Sequence, residues 1–248
     1  MRGLANKVAL VTGGSRGIGA GIVRALAAEG VRVAFTYVRG TEPAQALVAA
    51  IEQAGGQALA LQADAAQPAQ VRAAIETVVA RFGQLDILVN NAGVNVVSPI
   101  DEAAPDEEAL ANLWRVNTWG VAQTVRAAVP HLPAGGRILT IGSGSNIRVP
   151  FAGLGDYAAS KGALAAYTRA WARDLAPRGI TVNIIQPGLI ETDLTPTDPA
   201  TVASLLQPIA LGRFGTAQEV GEVVAFLASE AAGYITGATL NVDGGWSV

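Results

Sequence analysis

The sequence predicts an α/β fold, a doubly wound and mostly parallel seven-stranded sheet with helices on both faces, and three observations predict it. Short apolar, β-branched runs alternate with longer Ala-rich segments of helical pattern, the order that builds parallel sheets. The early runs are apolar with little alternation, as strands covered on both sides require. The chain has 248 residues, half of them hydrophobic and 15% charged, enough to bury one sizeable core. No internal repeat, low-complexity tract or linker marks a boundary, so a single domain over residues 1–248 is expected.

The strands follow in order. "KVALVT" runs into the glycine-rich "TGGSRGIGAGIVRALAAEG", where a helix begins near Gly17. "VRVAFTY", "QALALQA" and "LDILVN" come next, then "GRILTIG", "ITVNIIQP" and "ATLNVDG". Between the fifth and sixth lies "DYAASKGALAAYTRAWARDLA", whose apolar residues Leu164, Tyr167, Trp171 and Leu175 have helical spacing. One stretch breaks the rhythm: from Pro187 to Thr216 the chain is rich in Pro and Thr where a helix should follow the strand directly. A long irregular segment in a compact domain usually carries function, often as a lid.

Composition excludes several classes. The formal net charge is -3 and the 17 basic residues form no run, which argues against a nucleic-acid footprint or an anionic membrane surface. There is no cysteine and one histidine, His131, so disulfides, thiolate metal sites and a histidine-built zinc site are not expected. The apolar run near the N-terminus is short and stops in glycines, so no signal peptide is expected, and no segment approaches bilayer length. The partners expected are small molecules or copies of the chain itself, in a reducing cytoplasm.

Two local patterns carry chemistry. Gly13, Gly17 and Gly19 stand as G-x-x-x-G-x-G. Such a turn lets a pyrophosphate approach the backbone while the following helix points N–H groups at it, the device of the dinucleotide-binding Rossmann fold. A plain strand-to-helix turn also fits this motif alone. At the end of the second strand, where selection of NAD usually offers an acid to the ribose, the chain has Tyr37, then Arg39 and Thr41, with Arg16 inside the glycine turn. Guanidinium groups bind a 2'-phosphate that an acid would repel, so NADP(H) is favoured over NAD(H); solvated surface arginines are the alternative. Tyr157 and Lys161, four apart on the predicted helix, leave from one face. A lysine beside a phenol lowers its pKa from about 10 and makes it a usable acid or base, although a tyrosine with an i,i+4 lysine is also an ordinary helix surface.

Together with "TGGSRGIG", Asp64 in "QAD", "NNAG" at 90–93, Asn117 in "RVNTWG", "YAASK", "PGLIET" and "YITGATLNVDGG", this pair makes the chain resemble the short-chain dehydrogenase/reductase family along essentially its whole length. The resemblance implies a metal-free hydride transfer between a nicotinamide and a carbonyl or alcohol. It implies that Ser143, Tyr157, Lys161 and Asn117 are catalytic. Tyr157 would exchange the proton, Lys161 would hold the nicotinamide ribose and tune Tyr157, a serine would hydrogen-bond the substrate oxygen, and Asn117 would support a water leading to Lys161. It implies that Gly13, Ser15, Arg16, Gly17, Ile18, Gly19, Tyr37, Arg39, Thr41, Asp64, Ala65, Asn91, Ala92, Gly93, Pro187, Gly188, Ile190 and Thr192 bind the cofactor, with Tyr157 and Lys161.

The family commonly places its serine thirteen positions before the tyrosine, which here is Gly144, between Ser143 and Ser145. Strand ends are fixed by the sheet while loops absorb insertions, so alignment from "RILTIGS" selects Ser143 and leaves Ser145 lining the pocket. Ser145, Asn146, Val149, Phe151, Leu154 and Leu189, with Val96 and Val97, are expected on the substrate side, mostly apolar and suited to a ketone or aldehyde with hydrophobic bulk; core packing is the alternative for each. The expected activity is that of an NADPH-dependent carbonyl reductase or secondary-alcohol dehydrogenase. A 3-oxoacyl-[acyl-carrier-protein] reductase is the alternative, weakened because only Arg137 and Arg178 remain near the fifth strand to meet an acidic carrier. A nucleotide-binding sensor without turnover is a further alternative, disfavoured by retention of all four catalytic positions. The resemblance also implies a homotetramer, and the mean hydropathy of +0.35 is consistent with buried interfaces.

Overall fold

The structure is a computed structural model, which describes residues 3–193 and 195–248. Its elements alternate as the apolar runs require: β1 (Val8–Val11), α1 (Gly17–Ala28), β2 (Arg32–Tyr37), α2 (Thr41–Gln53), β3 (Ala58–Gln62), α3 (Pro68–Phe82) and β4 (Ile87–Asn90). After a long loop come α4 (Glu107–Trp114), α5 (Val121–Ala128), β5 (Arg137–Ile141), α6 (Gly155–Leu175) and β6 (Thr181–Pro187). The chain ends with β7 (Ile190–Glu191), α7 (Pro199–Leu206), β8 (Gly215–Thr216), α8 (Ala217–Ala228) and β9 (Thr239–Val242).

Seven strands form one sheet in the order β3-β2-β1-β4-β5-β6-β9, and every pairing in it is parallel. Side chains of a strand alternate between faces, and the two cores show it. Ala9 and Val11 of β1 join Ile22, Leu26, Leu47 and Val224 of α1, α2 and α8 on one face. Val8 and Leu10 join Ile75, Val78, Val125 and Leu175 of α3, α5 and α6 on the other. Strand order reverses between β1 and β4, so the loops that follow these two strands splay apart and open a crevice at their C-terminal ends, where ligands bind in doubly wound sheets.

Two features were not legible in the periodicity. The Pro- and Thr-rich segment is not wholly irregular: β7 and β8 pair across its ends, Ile190 opposite Gly215 and Glu191 opposite Thr216, and α7 lies between them. Asp198 accepts from the Thr201 backbone N–H at 2.9 Å and Pro199 opens the helix, the start that an Asp-Pro pair favours. Between α4 and α5 the residues Arg115–Gly120 form a π-helical turn, an insertion common at functional sites. Among the described residues no helix is long and apolar enough to cross a membrane.

Candidate active site

The crevice is built from the first loop outward. Gly13 (φ 66°) and Gly17 (φ 52°) occupy the left-handed region, and a Cβ on Gly19 would stand 2.2 Å from the Gly13 carbonyl oxygen. Glycine is required there by conformation and by contact. The Asn91 amide fixes the turn by donating to the Thr12 and Gly13 carbonyls, each at 2.9 Å. α1 starts at Gly17 with no side chain capping it, so its first N–H groups face the crevice mouth as an anion site. Ser15, Arg16 and Ile18 lie on this turn. The PG-containing segment reaches over it: the Thr192 methyl lies 3.5 Å from where a Gly17 Cβ would stand, and Arg16 pairs with Asp193 at 3.6 Å.

At the adenosine end the structure corrects one expectation. Tyr37 does not present its ring to the crevice; it is buried in the core with Phe35 and Leu47. Arg39, and Thr41 at the start of α2, are exposed just beyond it. Asp64 follows β3 and folds one carboxylate oxygen onto the Ala66 N–H at 2.8 Å, with Ala65 buried beside it. The glycine cradle, the uncapped helix start and the exposed Arg39 form a set that fits a dinucleotide carrying an extra phosphate.

The second half of the crevice holds Ser143, Tyr157 and Lys161. β5 ends at Ile141, and Ser143 then caps the short turn Gly144–Asn146 by accepting from the Ser145 N–H at 3.1 Å. This fixes the Ser143 hydroxyl, which hydrogen-bonds the Tyr157 phenol. Lys161 lies one turn further along α6, buried, and donates through Nζ to the Ile141 carbonyl at 3.0 Å. Gly93 covers it: a Cβ there would sit 3.1 Å from Nζ. Asn117, in the π-helical turn, accepts from the Val94 N–H at 2.8 Å and donates to the Val94 carbonyl at 2.9 Å and to Ser160 Oγ at 3.1 Å. Ser160 in turn donates to the Tyr157 carbonyl at 2.8 Å, so the side chain of Asn117 ties the turn to α6.

The electrostatics also differ from expectation. Burial pushes the Tyr157 phenol above its ordinary value, and the Ser143 hydrogen bond opposes this. Burial pushes Lys161 down to about 8. Lys161 does not pull Tyr157 down here, because desolvation dominates the phenol and the ammonium is turned toward the Ile141 carbonyl.

Ser143 and Tyr157 open onto a cavity of about 190 Å³. Ser145, Phe151, Leu154 and Leu189 line it together with Pro187 and Gly188. Asn146 and Val149 do not: Asn146 turns toward Gly162 of α6 and Val149 is half exposed to solvent. Val96 and Val97 are also absent from the lining; Val97 packs against Gly153. Sequence reasoning missed Asn95, Pro150 and Trp246. Asn95 and Pro150 adjoin stretches already under suspicion, but Trp246 is far along the chain from Tyr157 and arrives only because β9 returns to the sheet beside β6.

Comparisons with known proteins bear on this geometry. Residues 13–247 match the family model described as Enoyl-(Acyl carrier protein) reductase. A short-chain dehydrogenase/reductase from Serratia marcescens superimposes with a TM-score of 0.95 at 47% identity, covering 99% of each chain. A short chain dehydrogenase from Burkholderia cenocepacia, solved in complex with NADP, gives 0.95 at 46% identity over 100% of both chains. The 3-oxoacyl-[acyl-carrier-protein] reductase FabG of Staphylococcus aureus is 40% identical over 96% of this chain and 97% of its own. With a dinucleotide crevice, a serine-tyrosine-lysine cluster and these matches in hand, the chain belongs to the short-chain dehydrogenase/reductase family and is an oxidoreductase.

Proposed function

We propose that the protein is an NADPH-dependent carbonyl reductase, or secondary-alcohol dehydrogenase in the reverse direction, acting in the cytoplasm on ketones or aldehydes with apolar substituents. The observation that carries this reading is that Ser143 and Tyr157 share a cavity with Phe151, Leu154, Leu189 and Trp246.

NADPH, when bound, supplies a hydride with its two electrons to the carbonyl carbon. Gly13, Gly17, Gly19 and the α1 N-terminus would hold its pyrophosphate, Arg39 would take the 2'-phosphate together with Arg16 once that residue leaves Asp193, and Asp64 and Ala65 would border the adenine. Asn91, Ala92 and Gly93, with Pro187, Gly188, Ile190 and Thr192, would hold the nicotinamide half. Tyr157 transfers its phenolic proton to the carbonyl oxygen, and Ser143 donates a hydrogen bond to that oxygen as charge develops on it. A phenol held above its ordinary pKa is fully protonated at neutral pH, the form that reduction needs. Lys161, held on the Ile141 carbonyl and charged below about pH 8, would bind the nicotinamide ribose, and Asn117 holds the backbone next to it.

Titration of the protein with NADPH and with NADH tests the cofactor assignment: NADPH binds more tightly, and equal affinities contradict it. The activity is tested by following NADPH absorbance with a panel of aliphatic and aromatic ketones and a 3-oxoacyl thioester. Turnover of simple ketones supports the reading, whereas cofactor binding without turnover of any of them supports the sensor.

The relatives named FabG favour a second reading, reduction of 3-oxoacyl groups on an acyl carrier protein. Its docking chemistry is weak in this chain. Arg137 is buried and donates to the Gly135, Gly136 and Ser229 carbonyls, and Arg178 donates to the Val129 and Leu132 carbonyls, so both guanidinium groups are occupied by backbone. For assembly, a homotetramer is supported by the half-exposed Trp119 beside α5, the Tyr167–Trp171 stack at 4.6 Å on α6 and Leu240 on the exposed edge strand β9. Light scattering tests the count.

A further inference from the structure

We propose that Trp246, carried by the C-terminal tail, is a specificity-determining residue that limits the length of the substrate's apolar substituent, and that Arg148 is the positioning residue that holds it. The inference deepens the carbonyl-reductase reading and rests on it.

Trp246 is 3% exposed and lines the cavity that contains Ser143 and Tyr157. Its indole occupies the space beside Gly144, where a Cβ would meet Cζ3 at 2.9 Å and Cε3 at 3.1 Å. The glycine between the two serines is therefore the seat of the ring: any larger residue there displaces the indole. Two contacts then clamp the tail to the serine loop. Arg148 donates through Nη1 to the Trp246 carbonyl at 2.8 Å, and its guanidinium stands 5.7 Å from the centre of the ring, a charge-assisted hydrogen bond and a cation–π contact on one residue.

The same tail is locked to the segment that roofs the crevice. The Leu211 N–H donates to the Gly244 carbonyl at 3.0 Å, and the Gly188 N–H donates to the Val242 carbonyl at 3.0 Å. The backbone leading to Trp246 is thus tied to the roof, and Arg148 and the Gly144 backbone hold the indole as one wall of a small cavity. A wall of this kind discriminates by size: each methylene that does not fit costs about 1–3 kcal/mol in a hydrophobic pocket, a factor of about 10–200 in rate.

The test compares wild type with Trp246→Phe, Trp246→Ala, Arg148→Ala and Arg148→Lys. Two readouts are taken: NADPH-dependent reduction of butan-2-one and octan-2-one, and calorimetric binding of the unreactive carbonyl probes butanamide and octanamide. The octan-2-one to butan-2-one ratio of kcat/KM rises tenfold or more in Trp246→Ala and by a smaller factor in Trp246→Phe, and the amide affinity ratio moves the same way. Arg148→Ala shifts the same ratio through KM with kcat within about twofold, and Arg148→Lys, which keeps a donor and a charge, restores most of the wild-type ratio. If Trp246→Ala does not fold, Trp246→Phe and Arg148→Ala decide. Ratios within twofold of wild type in the folded variants overturn the proposal. A wild-type protein inert to both ketones and to the aromatic ketones of the panel overturns the carbonyl-reductase reading, and the amide ratios then still decide the role of Trp246.

Discussion

The two halves of the crevice are built by opposite means. The glycine cradle is local: Gly13, Gly17 and Gly19 lie within seven residues, and backbone conformation shapes it, with the Asn91 amide as its main side-chain support. The substrate half is assembled from distant pieces, with the Ser143 loop, α6, the segment after β6 and the tail meeting around Tyr157. A site made of backbone tolerates little added volume, whereas one made of side chains changes selectivity when a wall is changed.

The largest expected effect breaks the cofactor half. Gly19→Ala forces a Cβ to 2.2 Å from the Gly13 oxygen and 2.6 Å from Asn91 Nδ2, so it costs about 3 kcal/mol or more and abolishes NADPH binding. Gly155→Ala, which meets nothing within 4 Å, is the control and leaves stability and binding unchanged in a thermal melt and a titration.

Next comes the pair of serines. Ser143→Ala removes a donor aimed at the reacting oxygen and lowers kcat by about 10²–10³. Ser145→Ala keeps the backbone N–H that orients Ser143 and costs only a few-fold, so steady-state kinetics on both variants separates the two roles.

A smaller effect lies in stability. Lys161 is charged in the unfolded chain up to its ordinary 10.5 but only up to about 8 when folded. The unfolded state binds more protons between these values, so stability rises with pH across that window. The burden on the folded state below pH 8 is about 3 kcal/mol. Lys161→Met removes it at the loss of one hydrogen bond to Ile141; the variant melts higher than wild type at pH 7, the difference shrinks toward pH 10.5, and reductase activity is lost.

The contrast between the halves also explains what was legible in the sequence. All seven sheet strands stood out as short runs rich in apolar residues, β1 most clearly because all four of its residues are apolar and buried, and the glycine turn did so because its conformation admits little else. The end of β5 set Ser143 ahead of Ser145 in the sequence, and both line the cavity. Trp246, Asn95 and the outward turn of Val149 were not legible, since each depends on which loops meet across the sheet. The burial of Tyr37 was missed for a related reason: a residue at a strand end faces core or crevice according to register, and the sequence position alone does not say which. The direction of the Tyr157 shift failed because helical spacing placed Lys161 near the phenol without showing that its ammonium reaches the Ile141 carbonyl.

The most direct measurement is NADPH oxidation with a ketone substrate by wild type and Tyr157→Phe, with NADPH affinity measured on the same samples. Loss of the proton donor lowers kcat by at least about 10²-fold while NADPH binds with wild-type affinity. Retained turnover in Tyr157→Phe would contradict the assignment of Tyr157 as the acid and with it the carbonyl chemistry built on the Ser143–Tyr157 pair.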